Sequence, residues 1–206
     1  MAPSDNTTKI PGTSAQLVSL VEQARDGKRS ALAQLADRFH EEIFRTVFYR
    51  VRSRSDAEDI TQDVFLKAFQ KISSIKDAAK FRGWLFSIAL NRVKDFHRKQ
   101  RFRSLFKTED ENIESHTSAE TESDQPQALE RVLREDFWRQ VGLVLDKLSK
   151  MEREVFMLRF FDQLSLNEIA GVLKKNESTI KTHLYRALAK FKKEPAMRQL
   201  LKEATQ

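Results

Sequence analysis

The stretch QLSLNEIAGVLKKNESTIKTHLYRALAKF, from Gln163 to Phe191, decides how this chain is read. Two apolar sets at helical spacing flank a short polar turn: Leu166, Ile169, Ala170 and Leu173, then Ile180, Leu184, Leu188 and Phe191. Ser165 with Glu168 three residues on is a capping box that starts the first helix. Ser178 is placed to cap the second. Two short helices in this order have the layout of a helix-turn-helix, whose second helix brings its early residues to base edges in the major groove. Away from its apolar stripe that helix carries Thr179, Lys181, Thr182, His183, Tyr185 and Arg186. Lys and Arg suit guanine or phosphate, and Thr suits bases or backbone. An ordinary helical hairpin with a solvated basic face has the same spacing, so the rest of the chain must decide.

Helical periodicity continues on both sides. Upstream, Ser149 and Glu152 form another capping box, preceded by Leu129, Val132, Leu133, Phe137, Val141, Val144 and Leu148 at helical spacing. Towards the start, Leu17, Leu20, Val21 and Ala24 make a stripe that Gly27 ends as a C-terminal cap would. Leu32, Leu35, Ala36, Phe39, Ile43 and Val47 make a second. A third helix is predicted to open on a capping box at Ser55–Glu58 and to bury Ile60, Val64, Ala68 and Ile72. After a loop from Ser73 to Lys80, a fourth runs from Phe81 through Trp84, Leu85, Ile88, Ala89, Val93 and Phe96. Residues 1–14, rich in Ser, Thr, Pro and Asn, read as a disordered tail. Residues 108–127 are acidic and polar, without apolar periodicity, and contain Pro126. The fold expected is all-α: two small helical domains, 15–103 and 128–206, joined by a flexible acidic linker over 104–127, the second domain containing the helix-turn-helix.

Bulk composition agrees with that division and narrows the function classes. With 206 residues, 40% of them hydrophobic, the chain can fill two small cores but not one large one. The net charge of +7, despite 30 acidic residues, favours polyanions, since basic side chains release condensed counterions on meeting phosphates. The absence of cysteine removes disulfides and thiolate zinc sites. Met1–Asp5 does not begin a secretory signal, and no stretch approaches the ~20 apolar residues of a membrane span. The cytoplasm is therefore the expected compartment, without membrane insertion. An enzyme fits poorly. Gly12, Gly27, Gly83, Gly142 and Gly171 form neither a P-loop nor a dinucleotide fingerprint, and His40, His97, His116 and His183 are scattered. No activity of its own, no metal and no cofactor is expected.

A second surface emerges along the fourth helix: Arg82, Ser87, Asn91, Arg92, Lys94, His97, Arg98, Lys99, Arg101 and Arg103. Phe81, Trp84, Phe86, Phe96 and Phe102 are interleaved with it. Cations hold a phosphate backbone and rings stack on unpaired bases, a combination suited to single-stranded DNA. Phe81 and Trp84, at helical spacing, also fit the core.

These segments together resemble the extracytoplasmic-function group of the sigma-70 family of bacterial RNA polymerase sigma factors. The carrying residues are Asp56–Phe69 (DAEDITQDVFLKAF), Phe81–Asp95 (FRGWLFSIALNRVKD), Glu152–Arg159 (EREVFMLR) and the helix-turn-helix, covering roughly residues 17–193. The resemblance implies a transcription initiation factor that binds core RNA polymerase and promoter DNA. It implies that Asp59, Gln62, Asp63 and Phe65 dock on the polymerase clamp helices. Ser74 and Ile75 would capture a flipped base of the −10 element, with Asn91 lining the same pocket and Arg92, Lys94 and Arg98 beside it. Extruding a base costs a few kcal/mol, which the pocket must return through stacking and edge hydrogen bonds. Thr179, Lys181, Thr182, His183 and Arg186 would face the −35 element. An anti-sigma factor is the further partner implied.

Two positions depart from the usual family pattern. Lys174 stands where Gly is common, which implies a turn without left-handed geometry or a strained one. His183 stands where Arg is common, so the −35 sequence does not follow from the resemblance. With the chain ending at Gln206, no built-in regulatory module is expected after the second domain. Two other readings are a stand-alone helix-turn-helix regulator, in which the first domain would be idle, and a protein-binding adaptor indifferent to DNA.

Overall fold

A computed structural model describes residues 11–106 and 141–193, all helices and connecting turns, with no strand among them. The chain divides into two compact units, Met1–Asn112 and Ile113–Gln206. The expected linker, and Leu129, Val132, Leu133 and Phe137, lie outside the described residues.

In the first unit α1 spans Pro11–Arg25, α2 Arg29–Val51, α3 Arg54–Lys71 and α4 Phe81–Phe106. Two 3-10 turns, Ile72–Ser74 and Ala78–Lys80, bridge α3 and α4. Helix α1 starts at Pro11, inside the segment read as a disordered tail. Proline is favoured in the first helical turn because its missing N–H would be unpaired there anyway. Gly27 ends α1 with φ of +85°, its N–H bonding Ala24 O at 3.1 Å while Lys28 N–H reaches Gln23 O at 3.1 Å. Helix α3 does not use the predicted Ser55 box. Ser53 is its cap, its hydroxyl accepting from Asp56 N at 3.4 Å, and Glu58 pairs with Arg54 at 3.0 Å instead.

Helix α2 is central, packing on α1, α3 and α4, while α3 also packs on α4. It buries Ala31, Leu35, Phe39, Ile43 and Val47, a stripe that meets Ile60, Val64 and Ala68 of α3. Each such large side chain contributes about 1.5–3 kcal/mol by leaving water. Phe39 and Phe81 meet with centroids 5.5 Å apart. Helix α1 packs on α2 and on both 3-10 turns. Only the first half of α4 joins this core, through Phe81, Leu85, Phe86, Ala89, Leu90 and Val93. From Arg98 to Ser104 every residue is exposed.

In the second unit residues 141–146 are helical, and Val141, Val144, Leu145 and Leu148 are buried. Helix α5 spans Lys150–Phe160, α6 Leu166–Leu173 and α7 Glu177–Lys193. Both predicted capping boxes are formed: Ser149 N donates to Glu152 Oε2 at 3.0 Å, and Ser165 N to Glu168 Oε2 at 2.8 Å. Helix α7 packs on α5 and α6. Phe156 of α5 stacks on Phe191 of α7 at 4.2 Å, their planes 8° apart.

Candidate nucleic-acid interface

The α6–turn–α7 pair is held open by a left-handed residue. Lys174 has φ of 53° and ψ of 49°, its N–H reaching Gly171 O at 3.4 Å while Lys175 N–H bonds Ala170 O at 3.0 Å. Of the two geometries left open for Lys174, the strained one is adopted. Ile169 and Val172 are the buried residues of α6, with Leu166, Ala170 and Leu173 half-buried. Ser178 does not cap α7. The helix begins at Glu177, Ile180 N–H bonds Asn176 O at 3.2 Å, and Ser178 O accepts from Thr182 Oγ1 at 2.9 Å. The inward stripe of α7 runs Ile180, Ala187, Phe191, with Leu184 and Leu188 half-buried beside it.

That stripe leaves an exposed arc. Lys181, Thr182, Tyr185 and Arg186 face water, spread over about 140° at 100° per residue. Lys181 Nζ pairs with Glu177 Oε1 at 2.7 Å. Two expected members stand apart. Thr179 is half-buried, and His183 is half-buried with Nδ1 enclosed and no hydrogen-bond partner among the described residues. His183 flanks the buried stripe, one turn from both Ile180 and Ala187, which draws its ring inward. Tyr185, 61% exposed, falls inside the arc although the resemblance did not select it.

In the first unit the basic half of α4 forms a second surface. Asn91, Lys94 and Arg98 are exposed along one stripe, and Arg92 is half-buried about 100° away. Arg98 pairs with Asp95 at 3.0 Å. The aromatics divide. Phe81 and Phe86 are fully buried, so Phe86 is core rather than a stacking ring. Trp84 and Phe96 are half-buried, and Phe102 is 62% exposed. Arg82 is not part of the surface. It forms an ion pair with Glu42 of α2, its guanidinium 5.2 Å from the Phe86 ring centroid. His97 bonds Arg50 O at 3.2 Å through Nε2 and is likewise tied to α2.

The loop between α3 and α4 is anchored at three points, since Ile72, Ile75 and Ala78 are all buried. Ser74 is exposed, its hydroxyl donating to Lys71 O at 2.6 Å. The pairing of Ser74 and Ile75 as two ligands of one base is thereby split. The Ile75 side chain faces the core, where it holds the loop's shape. Asp77 braces the far side by accepting from Ala79 N at 3.0 Å.

A third surface lies on α3. Asp59 and Gln62 are exposed on the rim of an open groove of about 540 Å³, with Phe65 and Phe69 in its wall and His40 and Ala36 contributed by α2. Phe65 is buried and stacks on His40 at 6.2 Å. Asp63 is exposed but does not line the groove. Leu66, 56% exposed, does, and was missed because it lies off the buried stripe. Among the described residues no cluster of acidic or imidazole side chains could hold a metal ion, and no helix is long and apolar enough to cross a membrane.

Fold and surfaces define the class: an all-α protein with a helix-turn-helix in one unit and, in the other, a basic helix entered through an anchored loop. Known proteins carry the assignment further. Sigma-70 region 2 matches residues 35–103 and sigma-70 region 4 matches residues 138–191. The ECF RNA polymerase sigma factor BldN of Streptomyces coelicolor is 32% identical over 176 residues, 85% of this chain. That match covers 64% of BldN, so the chain spans just under two thirds of that relative. RNA polymerase sigma factor SigV of Bacillus subtilis is 30% identical over 150 residues, 72% of this chain and 81% of SigV. The structure of CnrH in complex with the cytosolic domain of CnrY superposes with a TM-score of 0.61 at 25% identity, covering 91% of this chain and 97% of CnrH. The chain belongs to the extracytoplasmic-function group of the sigma-70 family of RNA polymerase sigma factors.

Proposed function

We propose that the chain is a transcription initiation factor that joins core RNA polymerase, reads the −35 element with α7 and the −10 element with α4 and its loop, and promotes melting. The observation that carries this is the presence, on one chain, of two DNA-suited surfaces of different kinds. The arc on α7 is a narrow major-groove reader, whereas α4 carries exposed cations along its far half and is entered through a loop, anchored by the buried Ile72, Ile75 and Ala78, that receives a displaced base. Lys181, Thr182 and Arg186 read or hold the −35 duplex, with Thr179 and His183 at its margin. Ser74, Asn91, Arg92, Lys94 and Arg98 serve the −10 region, with Ile75 shaping the loop. Asp59, Gln62 and Phe65 at the α3 groove, with Asp63 beside it, dock on polymerase. The polymerase supplies all chemistry, and the chain works in the cytoplasm. The likeness to CnrH, solved with a bound partner domain, supports an anti-sigma factor as a further partner. The functional domains are 15–103 and 128–206, with 104–127 between them.

Reconstitution with core polymerase on a genomic fragment library tests this reading. Specific transcripts should require both the chain and core enzyme. Specific DNA binding without polymerase, and no transcript with it, would establish a stand-alone regulator instead. Within the reconstituted system, Lys181→Ala should relax preference at one −35 position by about 1–3 kcal/mol, and Arg186→Ala should weaken all sequences alike. Asn91→Ala should impair permanganate-detected opening and leave −35 preference intact.

A further inference from the structure

Glu152 lies outside the exposed surfaces of α3, α4 and α7, yet it is one of the few charged residues buried in the described chain, at 6% exposure. Its carboxylate closes the cap of α5 by accepting from Ser149 N at 3.0 Å. The same oxygen, Oε2, accepts from Lys190 Nζ at 2.7 Å, and Lys190 sits in the last turn of α7. Lys190 Nζ also reaches Lys147 O at 3.4 Å. One ammonium thus joins the rear of the DNA-facing helix to the start of α5 and to the chain just before it. Next to it, the Phe156–Phe191 stack closes the same junction with flat, slippable faces. Stacked rings resist separation but do little to fix rotation. A short charge-assisted hydrogen bond to a buried carboxylate is directional and fixes it.

We propose that Glu152 and Lys190 are positioning residues for −35 recognition, a latch that sets the angle at which α7 presents Lys181 and Thr182 to DNA. This rests on the reading of α7 as the −35 reader. Lys190 lies nine residues behind Lys181, about 13 Å along the axis, so a rotation of about 5° at the latch moves the reading end by roughly 1 Å. Displacements of that size separate a well-formed contact to a base edge from a strained one. The Lys190 side chain is 44% exposed and that of Glu152 7%, so the carboxylate is the fixed member and the lysine the one that docks on it.

The test uses holoenzyme assembled from the full chain and core polymerase, transcribing a template library randomised over the −35 element with the −10 element constant. Glu152→Gln keeps an oxygen for the Ser149 N–H but removes the charge, and Lys190→Met removes the other partner. Each should flatten −35 preference by about fivefold, the double variant should be no worse than either, and Lys190→Arg should stay within about twofold of wild type. Opening at the −10 element, scored by permanganate on the preferred template under saturating protein, should be unchanged. Lowered melting midpoints with −35 preference intact would overturn the proposal, reducing the pair to a stabilising contact. A Lys190→Met that weakens all templates alike with a shallower salt dependence, beside a wild-type-like Glu152→Gln, would make Lys190 a phosphate contact and overturn it too. Wild-type holoenzyme selecting no −35 sequence would remove the −35 assignment of α7, and the latch with it.

Discussion

Among the described residues three other than glycine hold positive φ: Arg52 and Lys174 cap α2 and α6, and Gln163 lies in the turn beyond α5. Lys174 matters most because it sets the bend between the two helices of the DNA-binding motif. An L-residue in this conformation costs about 1–2 kcal/mol, of which glycine would recover part, less its own larger loss of chain entropy of roughly 0.5–1 kcal/mol. Lys174→Gly should therefore stabilise the protein by about 0.5–1 kcal/mol, read as a higher denaturant midpoint at constant slope. A lower midpoint would mean the lysine side chain contributes more than its backbone costs. The single-residue level is also where sequence reading reached its limit. Ile75 has polar neighbours in the sequence and nothing local indicates that it plugs a core, whereas His183, three residues after Ile180, is grouped with the exposed set by its polar chemistry. Glu152 was legible as a cap, but its partner Lys190 is 38 residues away and no local spacing joins them.

Helices were the most legible level, because what starts and ends them is local. Ser149–Glu152, Ser165–Glu168 and Gly27 each act as their sequence context predicts. The start of α3 escaped because Ser53 and Ser55 can both cap, and the Arg54–Glu58 pair removes the glutamate that would have favoured the later one. In α7 the buried position fell to Ala187 rather than Leu188, since a small residue lets the helices approach. Among these elements α5 carries a pH dependence. The hydrogen bond from Lys190 is the main cause holding the Glu152 carboxyl below its ordinary value of 4.5, with the Ser149 N–H assisting and burial opposing. Because the folded-state value is the lower one, this contribution is fully present above the unfolded value and is lost as pH falls through the folded one. On acidification from about pH 6 to about pH 3, wild type should lose more of its melting midpoint than Glu152→Gln. Parallel curves would show that the carboxylate gains nothing from its partners.

At the scale of the whole molecule, two compact units match the expectation of two small cores, and their contents follow from the change in composition between them. The acidic, periodicity-free sequence between Lys107 and Gln127 predicts where a protease acts first, since such composition cannot offset the entropy of ordering. Limited digestion should cut there and leave two resistant fragments. Initial cleavage within α3 would contradict the division.

The packing of α1 on both 3-10 turns has a consequence for warmth. In α1 Val21 and Ala24 are buried and Leu17, Val18 and Leu20 half-buried, a smaller buried set among the described side chains than the six of α2 or of α3. Segments held so lightly open before the rest of a domain does. When α1 lifts away, the loop from Ile72 to Lys80 loses one of its walls while α2, α3 and α4 stay folded. Promoter opening should then fade at temperatures where the protein still looks intact by circular dichroism. Native-state hydrogen exchange provides the measurement: amides of α1 and of residues 72–80 should exchange together, below the free energy of global unfolding, and separate exchange would mean that the loop keeps its form alone.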